Sequence, residues 1–329
     1  MIGIAITGHG SATPATIVSN EALSQVVETS DDWIRTRTGI QERRLASPDL
    51  TLTDLAAQAA RAAIVSCNLQ PTDLDLIILA TSTPDDLFGS AVAVQHRLGA
   101  NRAAAFDLTA ACSGFLFGLV TAAQFIQNGT YQRVLVIGAD VLSRWVDWND
   151  RGTCVLFGDG AGAIVLEASE TNHLLGFELR SDGTQNRSLN LGYEPTPHPL
   201  MPEVTLSQGR YHPITMNGKE VYRFAVQQVP EILEKALFRA GLTTEAVDWL
   251  LLHQANQRIL DAVAERLKIP HEKVLSNLAH YGNTSAATIP LMLDEAIREG
   301  QVKPGHIVAA SGFGAGLSWG AAIFRYGRV

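Results

Sequence analysis

Short apolar runs recur along the chain, each set off from the next by a polar turn or a helix-length segment. "IGIAITG" (2–8), "LIILA" (76–80), "RVLVIGA" (133–139), "GAGAIVL" (160–166), "WLLL" (249–252), "HIVAASG" (306–312) and "WGAAIFR" (319–325) read as buried strands. A strand covered on both faces has no need of polar alternation. "SGFLFGLVTAAQFIQ" (113–127) is apolar on nearly every side, the pattern of a helix enclosed by other layers. Strands alternating with helices predict an α/β architecture.

The pattern repeats. Residues 69–81, "LQPTDLDLIILAT", match residues 242–254, "LTTEAVDWLLLHQ": polar residues, an Asp (Asp75, Asp248), then four apolar positions. Residues 97–129 likewise answer residues 266–300, each beginning Arg-Leu and ending at a Gly suited to cap a helix C-terminus. Cys112 lies seventeen residues before Gly129, and Asn283 seventeen before Gly300, so the count makes them equivalent. The sequence therefore predicts an internally duplicated fold with halves at 1–170 and 171–329. If the halves pack about a pseudo-twofold axis, the helix N-termini near Cys112 and Asn283 approach one another. His253 ends a second-half strand where the first half has Ala80, and open α/β sheets place ligands at such strand ends.

Composition narrows the function. The 329 residues are 46% hydrophobic and 18% charged, as in a folded globular chain. No apolar run approaches the roughly 20 residues that span a bilayer, so no membrane segment is expected. Met1 runs directly into a strand-like stretch without a basic leader, and the three cysteines cannot build a disulfide framework, which points to a reducing cytoplasm. A net charge of −8 argues against nonspecific nucleic-acid binding, so a polyanionic ligand would need a local basic patch. No paired His or Cys spacing suggests a metal, and "GFGAGLSWG" (312–320) lacks the Lys of a P-loop; it reads as a loop whose N–H groups line a site.

Individual residues carry two readings. Free cysteines are commonly buried and inert, which suits Cys67 and Cys154. Cys112 is either another such residue or a nucleophile at a helix N-terminus, where the dipole would lower its pKa. His253 could be a structural hydrogen-bonding residue, and Asn283 an N-cap. "DDWIRTRTGIQERR" (31–44) sets Trp33 among Arg35, Arg37, Arg43 and Arg44, either a solvated helix end or a clamp for a nucleotide-bearing substrate. The Pro-rich stretch 191–213 reads as irregular.

"TSDDWIRTRTGI", "DLTAACSGF", "DRGTCVLFGDGAGA", "LLHQANQRI", "YGNTSAA" and "GFGAGLSWG" stand in the order and spacing of one family. Over nearly its whole length the chain resembles the β-ketoacyl-acyl carrier protein synthase III family of thiolase-like condensing enzymes. The resemblance implies a five-layered α-β-α-β-α fold, a homodimer and no cofactor. It implies decarboxylative condensation of a short acyl-CoA, such as acetyl-CoA, with malonyl-acyl carrier protein to initiate fatty acid synthesis. Carried over by position, Cys112 is the acylated nucleophile, and His253 and Asn283 are its partners. Trp33, Arg37, Arg151 and Asn256 would contact CoA, and Phe313 the malonyl group. Phe88 would enter the acyl pocket of the other subunit. The backbone of Cys112 and Ala315 would form the oxyanion hole, and Arg258 and Arg223 would meet the acidic carrier protein. Ala315 departs from the Gly of many relatives. Also open are a related condensing enzyme with longer or specialised starters, and a non-catalytic binder of acyl-CoA or carrier protein.

Overall fold

A computed structural model describes residues 2–328. The first five-stranded sheet holds β1 (Gly3–Ala12), β2 (Leu76–Ala80), β3 (Ala104–Leu108), β4 (Arg133–Asp140) and β5 (Gly160–Ser169), in the spatial order β1-β5-β4-β2-β3. The second holds β6 (Leu174–Ser181), β7 (Trp249–Leu252), β8 (Val274–Leu275), β9 (Ile307–Gly314) and β10 (Ser318–Arg325), in the order β6-β10-β9-β7-β8. Ranked within its own half, each sheet runs first, fifth, fourth, second, third. In each, the second strand is parallel to the third and fourth, and the remaining pairings are antiparallel. An identical mixed topology in both halves is the structural counterpart of the repeated sequence pattern.

Among the described residues, seven helices of eight residues or more complete the layers: α1 (Asp31–Thr38), α2 (Leu52–Ser66), α3 (Ala91–Leu98), α4 (Gly114–Gln127), α5 (Gly218–Ala240), α6 (Gln257–Leu267) and α7 (Thr288–Arg298). Helices α2 and α3 cover the outer face of the first sheet, and α5 and α6 that of the second. Between the sheets lie α4 and α7, whose side chains share one apolar core with Ile78 and Val136 on one side and Val308 and Phe324 on the other. This is a five-layered α-β-α-β-α sandwich. The apolar run at 113–127 is explained by its central place: α4 meets a sheet on both sides, which leaves only a narrow strip through Phe117, Thr121 and Gln124 open.

Each central helix is entered through a short 3₁₀ turn, Ala111–Ser113 before α4 and Ser285–Ala287 before α7. The first residue of each turn is left-handed, Ala111 at φ 47° and Ser285 at φ 52°. These paired turns correct the counted equivalence. Cys112 corresponds to Ala286, and Asn283 lies three residues upstream of that position. The count failed because α4 has 14 residues and α7 only 11, so measuring back from Gly129 and Gly300 slips by three.

Two other readings change. Residues 191–213 are not irregular: Tyr193–Met201 and Val204–Tyr211 form an antiparallel ribbon, exposed on both faces. With no buried face the ribbon has no hydrophobic alternation to detect. Its Pro195, Pro197 and Pro199 share one parity, so their missing N–H groups fall on one edge. "GFGAGLSWG" is mostly strand, the ends of β9 and β10 about a tight turn.

The contact between α7 and the first sheet is close enough to require glycine. A Cβ on Gly138 would lie 2.1 Å from the Ala286 carbonyl oxygen, which is backbone and cannot swing aside. Gly138→Ala is therefore expected to lower the unfolding free energy by about 1–3 kcal/mol, the usual range for overpacking. Urea denaturation checks this, and an unchanged midpoint contradicts it.

Candidate active site

Strand β7 ends at Leu252, and the His253 N–H continues its ladder by donating to the Ser311 carbonyl at 2.8 Å. The imidazole is buried and stands edge-on to Phe313, with ring centroids 5.3 Å apart. Its Nδ1 has no hydrogen-bond partner among the described residues. Burial drops the His253 pKa to about 3, so the ring is neutral at physiological pH. It is available as a neutral hydrogen-bonding group, in contrast to a triad histidine held by a carboxylate.

Cys112 sits in the turn that opens α4 and is 7% exposed. Of the two sequence readings of Cys112, the nucleophile at a helix N-terminus carried with it a thiol pKa lowered by the dipole. Instead burial pushes it up to about 12; the Ser285 side chain opposes that shift, and the Asp140 charge adds to it. Removal from water is the largest of these effects because the same enclosed layer that holds the helix end also excludes solvent from the sulfur. Alongside runs the end of β9, so close that a Cβ on Gly314 would lie 2.6 Å from the Cys112 nitrogen.

Asn283 enters from the loop before α7. Its backbone is held on both sides by the loop after Thr153: its N–H donates to the Leu156 carbonyl at 2.8 Å, and its carbonyl accepts from Gly158 N–H at 3.0 Å. Its Oδ1 accepts from the Ser285 N–H at 2.9 Å, which leaves the amide NH₂ as the group it can present elsewhere.

Cys112, His253 and Asn283 line one cavity of about 210 Å³ together with Trp33, Arg37, Arg151, Asn256 and Phe313. Trp33 has two guanidiniums against its ring, Arg37 at 4.6 Å and Arg151 at 5.1 Å from the centroid. A flat aromatic face flanked by cations suits a ring system bearing phosphates. Asn256 also caps α6, accepting from Arg258 N–H at 2.9 Å, and ties that helix to α1 by donating to the Arg37 carbonyl at 3.0 Å.

Other residues proposed from sequence are not in this cavity. Phe88 is fully exposed, and Ala315 lies in the turn just beyond Gly314, outside the lining residues. The Arg258 guanidinium donates to the Thr36 carbonyl at 2.9 Å, and Arg223 lines a separate cleft with Glu220 and Trp319. Arg43 is removed from the basic cluster altogether. It is wholly buried, donates to the carbonyls of Val18 and Val155, and its pKa falls to about 10 because of that burial. From there it braces the loop that holds Asn283. Neither Arg43 nor Ser285 was recognised as a site support from sequence; both lie inside or beside the quoted motifs, but only the fold reveals what they touch.

Two family profiles match the chain: "3-Oxoacyl-[acyl-carrier-protein (ACP)] synthase III" over residues 106–183 and its C-terminal counterpart over residues 237–326. A beta-ketoacyl-[acyl-carrier-protein] synthase III from Nostoc sp. is 68% identical over 327 residues, 99% of each chain. One from Synechococcus elongatus is 65% identical over 100% of this chain and 98% of its own. The crystal structure of 3-oxoacyl-[acyl-carrier-protein] synthase III from Aquifex aeolicus superposes with a TM-score of 0.90 at 44% identity, covering 98% of this chain and 100% of that one. With the site geometry, the topology and the relatives in agreement, the chain belongs to the β-ketoacyl-[acyl-carrier-protein] synthase III family.

Proposed function

We propose that the protein catalyses the initiating condensation of fatty acid synthesis, joining a short acyl-CoA to malonyl-acyl carrier protein. The observation that carries this reading is the convergence of Cys112, His253 and Asn283 on one cavity whose walls include Trp33 between two arginines. A binder without catalysis would have no use for a thiol, a neutral imidazole and a primary amide facing one space. Residues 1–170 and 171–329 are taken as the two units of the duplication, one carrying the nucleophile and the other its two partners.

In the first half-reaction the Cys112 sulfur attacks the thioester carbonyl of acyl-CoA. The C–S bond to CoA breaks, CoA departs with the thiol proton, and acyl-Cys112 remains. With the thiol pKa near 12, no standing thiolate is available, so proton loss accompanies attack. The N–H groups of Cys112 and Ala315 are assigned to the tetrahedral oxygen. In the second half-reaction the malonyl group loses carbon dioxide, and the electron pair of the broken C–C bond passes into an enolate. Hydrogen bonds from His253 and Asn283 to the enolate oxygen stabilise it without an exchangeable charge. The enolate carbon attacks the acyl carbonyl, the C–S bond to Cys112 breaks, and the sulfur regains a proton.

Trp33, Arg37, Arg151 and Asn256 are assigned to CoA, Phe313 to the malonyl pocket, and Arg258 and Arg223 to the carrier protein. A second copy of the chain is the partner proposed for β3, which pairs with β2 on one edge only. Leu87 and Phe88, exposed near that edge, would enter the neighbouring subunit, Phe88 limiting the depth of its acyl pocket.

Acetyl-CoA should leave one acetyl group on Cys112, detected by intact mass and peptide mapping; a protein unmodified under turnover conditions overturns the assignment. Replacing Trp33 with Ala should raise KM for acetyl-CoA about tenfold, the loss of a stacked base, while kcat changes little. For His253→Ala, release of carbon dioxide from malonyl-acyl carrier protein should fall by about two orders of magnitude while Cys112 still acylates. Equal loss in both half-reactions would reverse the assigned role.

A further inference from the structure

The two ends of the duplication differ in one buried group that the reaction scheme does not use. Asp140 closes β4, and Gly314 closes β9 at the matching position of the second sheet, since both strands run eight residues and pair in the same way. Gly314 lies against the nitrogen of Cys112 and has no side chain to offer it. Asp140 instead accepts, through Oδ2, the N–H of Ala286 at 3.1 Å, and Ala286 is the counterpart of Cys112. The same backbone donor is left open beside the thiol and occupied by a built-in carboxylate in the other half.

That carboxylate is wholly buried and has no cation against it among the described residues. Its Oδ1 accepts from Ser82 N–H at 2.8 Å, Thr83 Oγ1 at 2.9 Å and Thr81 Oγ1 at 3.2 Å. Burial raises its pKa against these hydrogen bonds, with Ser285 and Ala286 among the donors. Holding a carboxylate there is costly, so its contacts call for a purpose beyond filling space. They lead to Asn283. Asp140 grips the Ser285–Ala286 turn from one side. Ser285, held at φ 52°, donates its N–H to Asn283 Oδ1 at 2.9 Å on the other.

We propose that Asp140 is a positioning residue for the malonyl half-reaction: by fixing the Ser285–Ala286 turn it sets which way the Asn283 amide faces, keeping its NH₂ toward the substrate oxygen. The inference rests on the proposed condensing activity. It also explains why the carboxylate tolerates proximity to Cys112. The turn it holds serves decarboxylation, while the thiol needs no standing negative charge in the acylation step.

The test compares wild type, Asp140→Asn, Ser285→Gly and Thr83→Val in separate half-reactions. Ser285→Gly loosens the same turn with Asp140 in place. Thr83→Val removes a hydroxyl from Oδ1 without touching the turn. For Asp140→Asn and Ser285→Gly the kcat for carbon dioxide release from malonyl-acyl carrier protein should drop about tenfold or more with KM unchanged, and acylation of Cys112 should fall far less. Asp140→Asn should also move the pH profile of Cys112 alkylation by iodoacetamide toward lower pH, because a negative charge near the sulfur is gone. In an Asn283→Ala background the Asp140→Asn effect on decarboxylation should vanish. Parallel loss of both half-reactions, matched by Thr83→Val, would reduce Asp140 to a structural residue and overturn the proposal, as would an additive effect with Asn283→Ala. If wild type itself fails to acylate, it is the condensing activity that fails, and the two failures are told apart.

Discussion

The enclosure of α4 and α7 between two sheets is the constraint on which the site depends. Two largely buried helices share one core, and their N-termini meet the C-terminal ends of strands from both halves. Backbone N–H groups at those ends would ordinarily be satisfied by water. Here water is excluded, so each must be met by protein or kept for a ligand. The same exclusion governs the side chains: Cys112 is held as a thiol and His253 as a neutral imidazole by one cause, loss of solvent, acting with opposite sign on an acid and a base.

A neutral pair suits a reaction whose charge develops and disappears within the cavity. An imidazolium would attract the malonyl carboxylate and hold on to the group that must leave as carbon dioxide, whereas a neutral donor interacts most strongly with the enolate oxygen that forms only during the reaction. The buried His253 also ties stability to acidity in one direction. Its folded pKa of about 3 lies below the 6.5 of a free histidine, so between those values the unfolded chain takes up a proton that the buried ring refuses, and stability falls as pH drops from about 6.5 to about 3.

Much of this was legible in the sequence. "LIILA" and "WLLL" coincide with β2 and β7, because a strand buried on both faces writes itself as an unbroken apolar run. The apolar α4 announced its central layer for the same reason. The duplication was legible too, but its register was not. A helix end can be recognised from a glycine, while the difference in length between α4 and α7 is set by tertiary contacts that no local pattern records. Nor could the thiol's ionisation be read: the dipole at a helix N-terminus is a local property, whereas desolvation depends on what covers it. Arg43 illustrates the same limit, since a charged residue in a basic run looks exposed until the fold supplies the carbonyls of Val18 and Val155.

The asymmetry of the candidate site then comes from few differences on a symmetric frame. His253 faces Ala80 across the duplication, Cys112 faces Ala286, and Gly314 faces Asp140. Around the start of α4 the alternative site is closed by methyl groups: a Cβ on Gly114 would sit 3.2 Å from that of Ala80 and 3.8 Å from that of Ala286. One strand end is thus sealed with small apolar side chains and a carboxylate that occupies the free N–H, while the other keeps the thiol, the imidazole and the open donor. Because both ends rest on the same two helices, the sealed one need not be inert. Its rigidity is transmitted through the Ser285–Ala286 turn to Asn283, so the sealed strand end supplies fixed geometry for the open one.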